Sequence, residues 1–210
     1  MKKPFTLGKS ALFLACGAVF HLSAQAQTAD TATVDITGQI SATTCNLSIA
    51  DATGTSDTGA KTLDLGTVTT AGTFSKAGTL FGSSKAVTFT LKNTTNTGPC
   101  TAPSTTAKWN VILGFEPGSV ATLADNTTYV KNQDKSGSGT NALMRLTQGN
   151  TGTGTALVLK ETMGYTGTTI GTDAAFTSSI SMSAQLASAG AEAPSSGAYT
   201  ATIPLLVLYK

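Results

Sequence analysis

The carboxyl-terminal segment ATIPLLVLYK, residues 201–210, constrains the fold more than any other part of the chain. One face of the strand that it predicts carries four alternating residues, Ile203, Leu205, Val207 and Tyr209. The opposite face is apolar as well, at Leu206 and Leu208. Because exposed apolar strand edges invite unwanted pairing, proteins shorten, charge or cover them. We therefore expect another strand to cover this one, and Pro204, which lacks an N–H, suits a strand with one unpaired rim.

A second alternating strand is predicted near the amino terminus, where residues 32–40 read ATVDITGQI. Small and apolar residues occupy every second position and share one face: Ala32, Val34, Ile36, Gly38 and Ile40. This strand can cover residues 201–210 of its own chain or of a second copy. It reaches Cys45 after only a few residues, and we expect this short connection to keep it from turning back. Pairing between molecules is therefore the favoured interpretation.

The composition between these two strands is typical of an all-β fold. Threonine is the commonest residue, glycine has 22 copies, and no stretch has the apolar periodicity of a helix. Short alternating runs separated by turn-forming residues predict an antiparallel two-sheet sandwich in a single domain. The predicted strands lie near residues 32–48, 62–69, 86–93, 108–115, 142–147, 155–160, 178–186 and 198–209. Residues 178–186 are also compatible with a short helix.

The first residues are predicted to be a signal peptide. Two early lysines precede an apolar core at residues 11–20 and small residues at 24–26, and we predict cleavage between Ala26 and Gln27. A lipoprotein signal at Cys16 is the alternative, but the apolar run continues past it. No later stretch reaches 18 apolar residues, so we expect no membrane insertion of the mature chain. The predicted organisation is a signal peptide at 1–26, an amino-terminal extension at 27–41 and one domain at 42–210.

Two cysteines remain in the mature chain, Cys45 and Cys100, and an oxidising compartment predicts one disulfide between them. Two buried free thiols are the alternative. The single histidine, His21, lies in the predicted signal peptide, so the mature chain has no imidazole for catalysis or metal binding. No motif marks a pair of carboxylates either. We therefore expect neither an enzyme nor a bound cofactor or metal.

Charge argues against nucleic-acid binding. Only 11% of residues are charged, and the formal net charge of +2 becomes −1 when the three lysines of the predicted signal peptide are removed. No basic cluster is present, whereas nucleic-acid binding needs concentrated lysine and arginine.

Five motifs in order give the chain a resemblance to a known family. They are VDITGQI at 34–40, LDLGTV at 63–68, VTFTLKN at 87–93, the glycine Gly197 fourteenth from the end, and the penultimate aromatic Tyr209. The whole mature chain resembles a chaperone–usher pilin, the structural subunit of type 1 and related fimbriae of Gram-negative bacteria. The spacer TTNTGP before Cys100 departs from the family, in which the second cysteine follows its strand more closely.

This resemblance implies an incomplete immunoglobulin-like sandwich that lacks its last strand and is completed by a donor strand from another subunit. The missing strand leaves a groove, which a strand of a periplasmic chaperone fills first. At the outer-membrane usher, the amino-terminal strand of the next subunit replaces the chaperone strand. The resulting head-to-tail fimbria is exported to the cell surface and supports cell adhesion. The implied donor residues are Ala32, Val34, Ile36, Gly38 and Ile40. The implied acceptor and chaperone-recognition residues are Gly197, Ile203, Leu205, Val207, Tyr209 and Lys210.

A binding protein is the alternative function. The chain would then be a minor pilin, or a secreted β-sandwich that recognises a carbohydrate or a host protein through loops such as 116–140. Trp109 and Tyr129 could stack on such a ligand, although single aromatic residues in sandwiches more often belong to the core.

Overall fold

A computed structural model describes residues 31–40, 45–56, 60–67, 72–102, 104–136, 139–162 and 166–209 of the 210-residue chain. No α-helix occurs among these residues. Their strands are β1 Thr31–Ile40, β2 Cys45–Asp51, β3 Gly54–Ser56, β4 Ala60–Thr67, β5 Leu80–Asn93, β6 Lys108–Leu113, β7 Val120–Thr122, β8 Thr128–Lys131, β9 Leu143–Gln148, β10 Thr168–Ala175, β11 Ile180–Ala187 and β12 Tyr199–Tyr209.

The strands form two sheets. The first sheet has the order β10-β6-β12-β1-β4, and the second has the order β3-β2-β5-β11-β9-β8-β7. Nearly all the ladders are antiparallel, and β1 with β12 is the parallel exception among the ladders of the described strands. The predicted all-β fold with two antiparallel-rich sheets is confirmed, and its layout is that of a β-sandwich.

One large apolar core lies between the two sheets. The first sheet contributes side chains such as Ile36, Val111 and Ile203, and the second contributes Phe89 and Met182. All five are fully buried or nearly so because alternate residues of each strand point inward. Trp109 and Tyr129 are also buried, so the core interpretation of these two aromatic residues is confirmed.

Most of the predicted strands occur within a few residues of their expected positions. The predicted 32–48 segment is two strands, β1 and β2, and residues 178–186 correspond to a strand, β11, rather than to a helix. Four strands were not predicted, namely β3, β7, β8 and β10. Three of them have three or four residues, and β10 is interrupted by a bulge between Ile170 and Ala174.

The strand predicted at residues 155–160 is wrong. The segment alternates as a strand would, with Leu157 and Leu159 buried and Val158 exposed, but it makes only an isolated bridge from Ala156 to Thr147. Two main-chain hydrogen bonds join its start to β9: the N–H of Gln148 donates to the carbonyl oxygen of Thr155 at 3.0 Å, and the N–H of Leu157 donates to that of Leu146 at 2.9 Å. Beyond them, the Thr128 hydroxyl donates to the carbonyl oxygen of Leu157 at 3.1 Å and accepts the N–H of Leu159 at 2.7 Å. The alternation reflects burial, and from Leu157 onward threonine hydroxyls take the place of a neighbouring strand.

The predicted disulfide is present between Cys45 and Cys100, with a Cα–Cα distance of 5.4 Å. It joins the start of β2 to the segment that follows β5, where the N–H of Cys100 donates to the carbonyl oxygen of Leu91 at 3.1 Å. Cross-linking two residues 55 positions apart restricts the unfolded chain, which is worth about 4 kcal/mol on the chain-entropy model.

The predicted signal peptide, residues 1–26, lies outside the described residues. So do residues 27–30 of the predicted extension and Lys210. The part of the chain that the structure describes has no helix long and apolar enough to cross a membrane.

Candidate functional site

The strand predicted near the amino terminus lies inside the first sheet, between β12 and the edge strand β4. β1 runs parallel to β12 from the pair Ala32–Tyr199 to the pair Ile40–Val207. Its other side pairs antiparallel with β4 of the same chain. Without β1, β12 and β4 would each present an unpaired rim of main-chain donors and acceptors. We refer to the contact of β1 with these two strands as the β1 slot.

Three of the predicted donor residues fill the core side of this slot. Ala32, Val34 and Ile36 have no solvent exposure, whereas Asp35 between them is exposed. Burying Val34 and Ile36 is worth roughly 1.5–3 kcal/mol each. The main chains of Gly38 and Ile40 continue the ladder opposite Leu205 and Val207, but their side chains lie outside the described residues.

The expectation that β1 cannot turn back onto its own chain is wrong. In the structure β1 occupies the slot of the chain to which it belongs. Four residues, 41–44, connect its end in the first sheet to the start of β2 in the second. Five steps of extended chain span roughly 17 Å, and packed sheets lie about 10 Å apart, so four residues suffice for the crossing.

The predicted acceptor residues line the slot along β12. Ile203, Leu205 and Val207 are buried on the core side, and Tyr199 and Ala201 continue that face toward the start of the strand. Gly197 lies just before the strand with φ +150°, a backbone conformation that favours glycine.

Tyr209 lies at the carboxyl end of β12, two residues past the last pair of the β1–β12 ladder and opposite Trp109 of β6. Its ring stacks on Phe176 with the ring centres 5.3 Å apart and an angle of 27° between the planes. The Tyr209 hydroxyl is buried without a hydrogen-bond partner among the described residues. Burial raises the pKa of Tyr209 to about 12 because the phenolate would lose its hydration.

The opposite rim of β12 is paired as well, so the expected open rim at Pro204 is wrong. β6 pairs with β12 from Leu205 to Tyr209. The N–H of Gly114, just past β6, donates to the carbonyl oxygen of Pro204 at 2.8 Å. Because the N–H and C=O groups of one strand residue point to the same side, the donor that Pro204 lacks would have faced the end of β6. The proline therefore costs no hydrogen bond to β1.

Asn132 and Gln133, which sequence reasoning missed, hold the first half of β12. The Asn132 amide donates to the carbonyl oxygens of Thr140 and Ala198 at 2.8 and 2.7 Å, and its Oδ1 accepts the N–H of Thr200 at 2.9 Å. Gln133 Oε1 accepts the N–H of Thr202 at 2.9 Å. These two residues replace β6 where that strand ends. Their place in a polar turn gave no signal of this role.

An ion pair joins the two sheets beside the slot. Lys61 of β4, the register partner of Ile36, donates from Nζ to Asp51 Oδ1 of the second sheet at 3.1 Å. Thr53 also donates to this oxygen, from its N–H at 2.8 Å and from its hydroxyl at 2.7 Å. Burial alone would raise the pKa of Asp51, but the hydrogen bonds from Thr53 and the Lys61 ammonium outweigh it and lower the pKa. The Asp51–Lys61 pair thus fixes β4 at one end of the slot.

No protein-family model matches the chain, and no curated protein sequence matches it. Within the described residues, no group of three or more histidine, cysteine, aspartate or glutamate side chains is placed to hold a metal ion. The functional argument therefore depends on the β1 slot itself.

Proposed function

We propose that this chain is the structural subunit of a bacterial fimbria, and that copies polymerise when the β1 segment of one copy fills the slot of the next. The observation that carries the proposal is the position of β1. The first strand of the described chain lies between the last strand, β12, and β4, and it supplies three fully buried residues to the core. The rest of the domain is one strand short without it.

The β1 segment is well suited to move between copies. A single covalent connection, residues 41–44, joins it to the rest of the domain. Its contacts with β12 and β4 are main-chain pairing, apolar packing and the hydrogen bond from the Thr62 hydroxyl to Asp35 Oδ1 at 2.6 Å. The first cysteine of the Cys45–Cys100 disulfide comes after this connection. The disulfide therefore links β2 to the segment after β5 and does not cross-link β1. A separate strand that adds to a sheet edge is a known mode of protein recognition.

Strand polarity does not favour self-pairing over exchange. β1 runs parallel to β12 and antiparallel to β4, so a strand that enters in either direction forms one parallel and one antiparallel ladder. A strand from a second copy is free of the 41–44 connection and can therefore enter in either direction.

Self-pairing still has a kinetic advantage, because a tethered strand has a high effective concentration at its own slot. Assembly therefore requires a factor that holds the slot for an incoming strand. A periplasmic chaperone and an outer-membrane usher, as the resemblance to chaperone–usher pilins implies, supply this step. Each copy then offers a strand at one end and a slot at the other, and this heterologous contact generates a filament at the cell surface that supports adhesion.

Deleting residues 28–40 tests the proposal in cells that express the chaperone and usher. We expect the truncated chain to accumulate with the chaperone in the periplasm and to be absent from filaments sheared off the surface. A matched control replaces only residues 28–30, which precede β1, with glycine, and we expect it to assemble. Filaments built from the truncated chain would overturn the assignment of β1 as the exchanged strand.

A further inference from the structure

Six residues after β9, residues 149–154, fold back over the outer face of the second sheet, and we call them the strap. Their sequence, GNTGTG, contains no apolar side chain larger than glycine. Arg145 of β9, the only arginine of the chain, donates from Nη2 to the carbonyl oxygen of Gly152 in the strap at 2.8 Å. We propose that Arg145 is the centre of an oxyanion-binding site that the strap closes.

The fold of β9 places Arg145 on the outer face of the sheet. The residues before and after Arg145 are buried in the core between the sheets, so Arg145 and Thr147 project from the opposite face. Gly152 is buried against Ser84 of β5, where a side-chain carbon on the glycine would overlap Ser84 Oγ and Cβ. The strap therefore lies close to the sheet at its middle, next to both Arg145 and Ser84.

Three polar side-chain atoms in this region are buried without a hydrogen-bond partner among the described residues. They are Arg145 Nε, Thr147 Oγ1 and Ser84 Oγ. Unpaired buried donors of this kind cost desolvation free energy, and the strap buries no apolar side chain that would offset this cost. We therefore expect the strap to open locally more easily than the surrounding strands.

The guanidinium group of Arg145 is only half used in the closed arrangement. Nε–H and Nη2–H lie on the same edge of the group and match two oxygens of a carboxylate or a phosphate. The carbonyl oxygen of Gly152 accepts from Nη2 and leaves Nε without an acceptor. An oxyanion in place of this carbonyl group would accept from both atoms, and the hydroxyls of Thr147 and Ser84 can donate to its remaining oxygens.

The charge of Arg145 favours an anion over a neutral ligand. Arg145 makes no ion pair with a carboxylate among the described residues. Its neighbours on this face are neutral: Ser183 donates its hydroxyl to the carbonyl oxygen of Gly149 at 2.8 Å, and Gln185 donates its amide to that of Gly82 at 2.9 Å. The guanidinium charge is therefore available to a ligand, and carboxylates and phosphates share the chemistry that it recognises.

One arginine and two hydroxyls beneath a strap predict weak binding, because part of the interaction free energy opens the strap. We expect a dissociation constant on the order of millimolar for a small oxyanion. The site lies on the second sheet and uses no residue of β1, β4 or β12. It is therefore independent of the proposed function.

The test is an NMR titration of the purified mature chain at constant ionic strength with phosphate, acetate and chloride. We expect phosphate or acetate to shift the amide signals of Arg145, Thr147 and Gly152 until they saturate. Chloride has one centre and cannot accept as two separate oxygens do, so it should not saturate these shifts. Arg145→Gln should abolish binding. Lys85→Gln, which removes the same charge from β5 of the same sheet, is the matched control and should leave binding unchanged.

The two oxyanion probes distinguish the sources of the ligand. Binding of acetate alone would indicate a carboxylate, such as that of an acidic side chain of another protein. Binding of phosphate alone would indicate free phosphate or a phosphoryl group. Each of these results supports an oxyanion site at Arg145.

A second pair of variants tests the hydroxyl groups. Thr147→Val removes a buried hydroxyl without a partner, so it should leave the melting temperature unchanged or raise it, and weaken oxyanion binding several-fold. Thr128→Val is the matched control. Its hydroxyl makes two hydrogen bonds to residues 157 and 159, so its loss should lower the melting temperature by about 3 °C or more without changing the affinity.

Four results would overturn the proposal. They are the absence of saturable shifts with both oxyanions, equal shifts with chloride, equal losses of affinity in Arg145→Gln and Lys85→Gln, and a loss of stability in Thr147→Val as large as that in Thr128→Val.

Discussion

Ile36 of β1 and Ile203 of β12 are register partners in neighbouring parallel strands, and neither side chain is exposed to solvent. Residues from the two ends of the described chain thus close the same part of the core. This relationship explains the apolar carboxyl-terminal strand, because β1 covers one rim of β12 and the core face of β12 packs against the second sheet. It also makes the domain sensitive to any change that weakens the pairing of β1.

Truncation of Ile36 should destabilise the domain strongly. Ile36→Ala removes buried carbon atoms at a fully enclosed position, and we expect the free energy of unfolding to fall by about 2–5 kcal/mol. Denaturant unfolding of the purified mature chain measures this change. Val158→Ala is the matched control, since Val158 is 68% exposed and its truncation should change stability by less than about 0.5 kcal/mol. Equal effects of the two substitutions would mean that β1 does not complete the core.

Removing the hydroxyl group should change the stability of the domain differently at the two tyrosines of β12. The Tyr199 hydroxyl donates to the carbonyl oxygen of Val130 in the second sheet at 2.9 Å, so Tyr199→Phe removes a buried hydrogen bond and should cost about 0.5–1.5 kcal/mol. The Tyr209 hydroxyl is buried without a partner among the described residues, so Tyr209→Phe should be neutral or stabilising. Thermal unfolding of the two variants beside the parent chain measures both. A loss of stability in Tyr209→Phe as large as that in Tyr199→Phe would contradict this reading of β12.

The Asp51–Lys61 pair should make stability depend on pH in the acid range. Because the pKa of Asp51 is lower in the folded chain than its ordinary value, its contribution is complete above about pH 4. That contribution is lost as the pH falls through the folded pKa. The stability difference between the parent chain and Asp51→Asn should therefore shrink below about pH 4.

Chemical unfolding between about pH 2 and 7 measures this dependence, with Asp64→Asn, an exposed position on β4, as the matched control. A difference between the parent chain and Asp51→Asn that stays constant over this range would show that the carboxylate charge does not contribute. The Lys61 contact would then contribute little to stability.

The sequence predicted the strands whose alternation is long and apolar. Residues 32–40 and 198–209 correspond to β1 and β12 within about one residue at each end, because one face of each strand is buried and the other is polar or half-covered. The short strands β7 and β8 have three and four residues, too few for a period to be recognised. The false strand at 155–160 arose because the hydroxyls of Thr128 and Thr168 hold an alternating segment without a ladder.

The sequence predicted residues of the candidate site, but it did not predict that β1 pairs within its own chain. Alternation identified Ala32, Val34 and Ile36 as one buried face, and the structure buries all three beside β12. Whether a strand pairs within its own chain depends on where its connection leads. The answer depends on the distance between the two sheets in the folded chain, which residues 41–44 can span. The sequence also could not predict that Asn132 holds the first half of β12, because an asparagine in a turn gives no sign of the four hydrogen bonds that it makes.

A reversible cross-link between β1 and its own β12 tests the central claim most directly. Thr33 and Thr200 are register partners, so Thr33→Cys with Thr200→Cys should form a disulfide within one chain and lock β1 in its own slot. Thr88 and Ser181, whose hydroxyls are 3.1 Å apart on β5 and β11, provide a matched cross-link between two strands that stay in the domain.

Both double variants are expressed with the chaperone and usher, the intrachain disulfides are verified by mass spectrometry, and surface filaments are quantified by electron microscopy. We predict that the Thr33–Thr200 lock abolishes filaments and that the Thr88–Ser181 lock leaves them unchanged. Filaments built from chains that retain the Thr33–Thr200 disulfide would contradict the account, because their copies would be joined without β1 leaving its own slot.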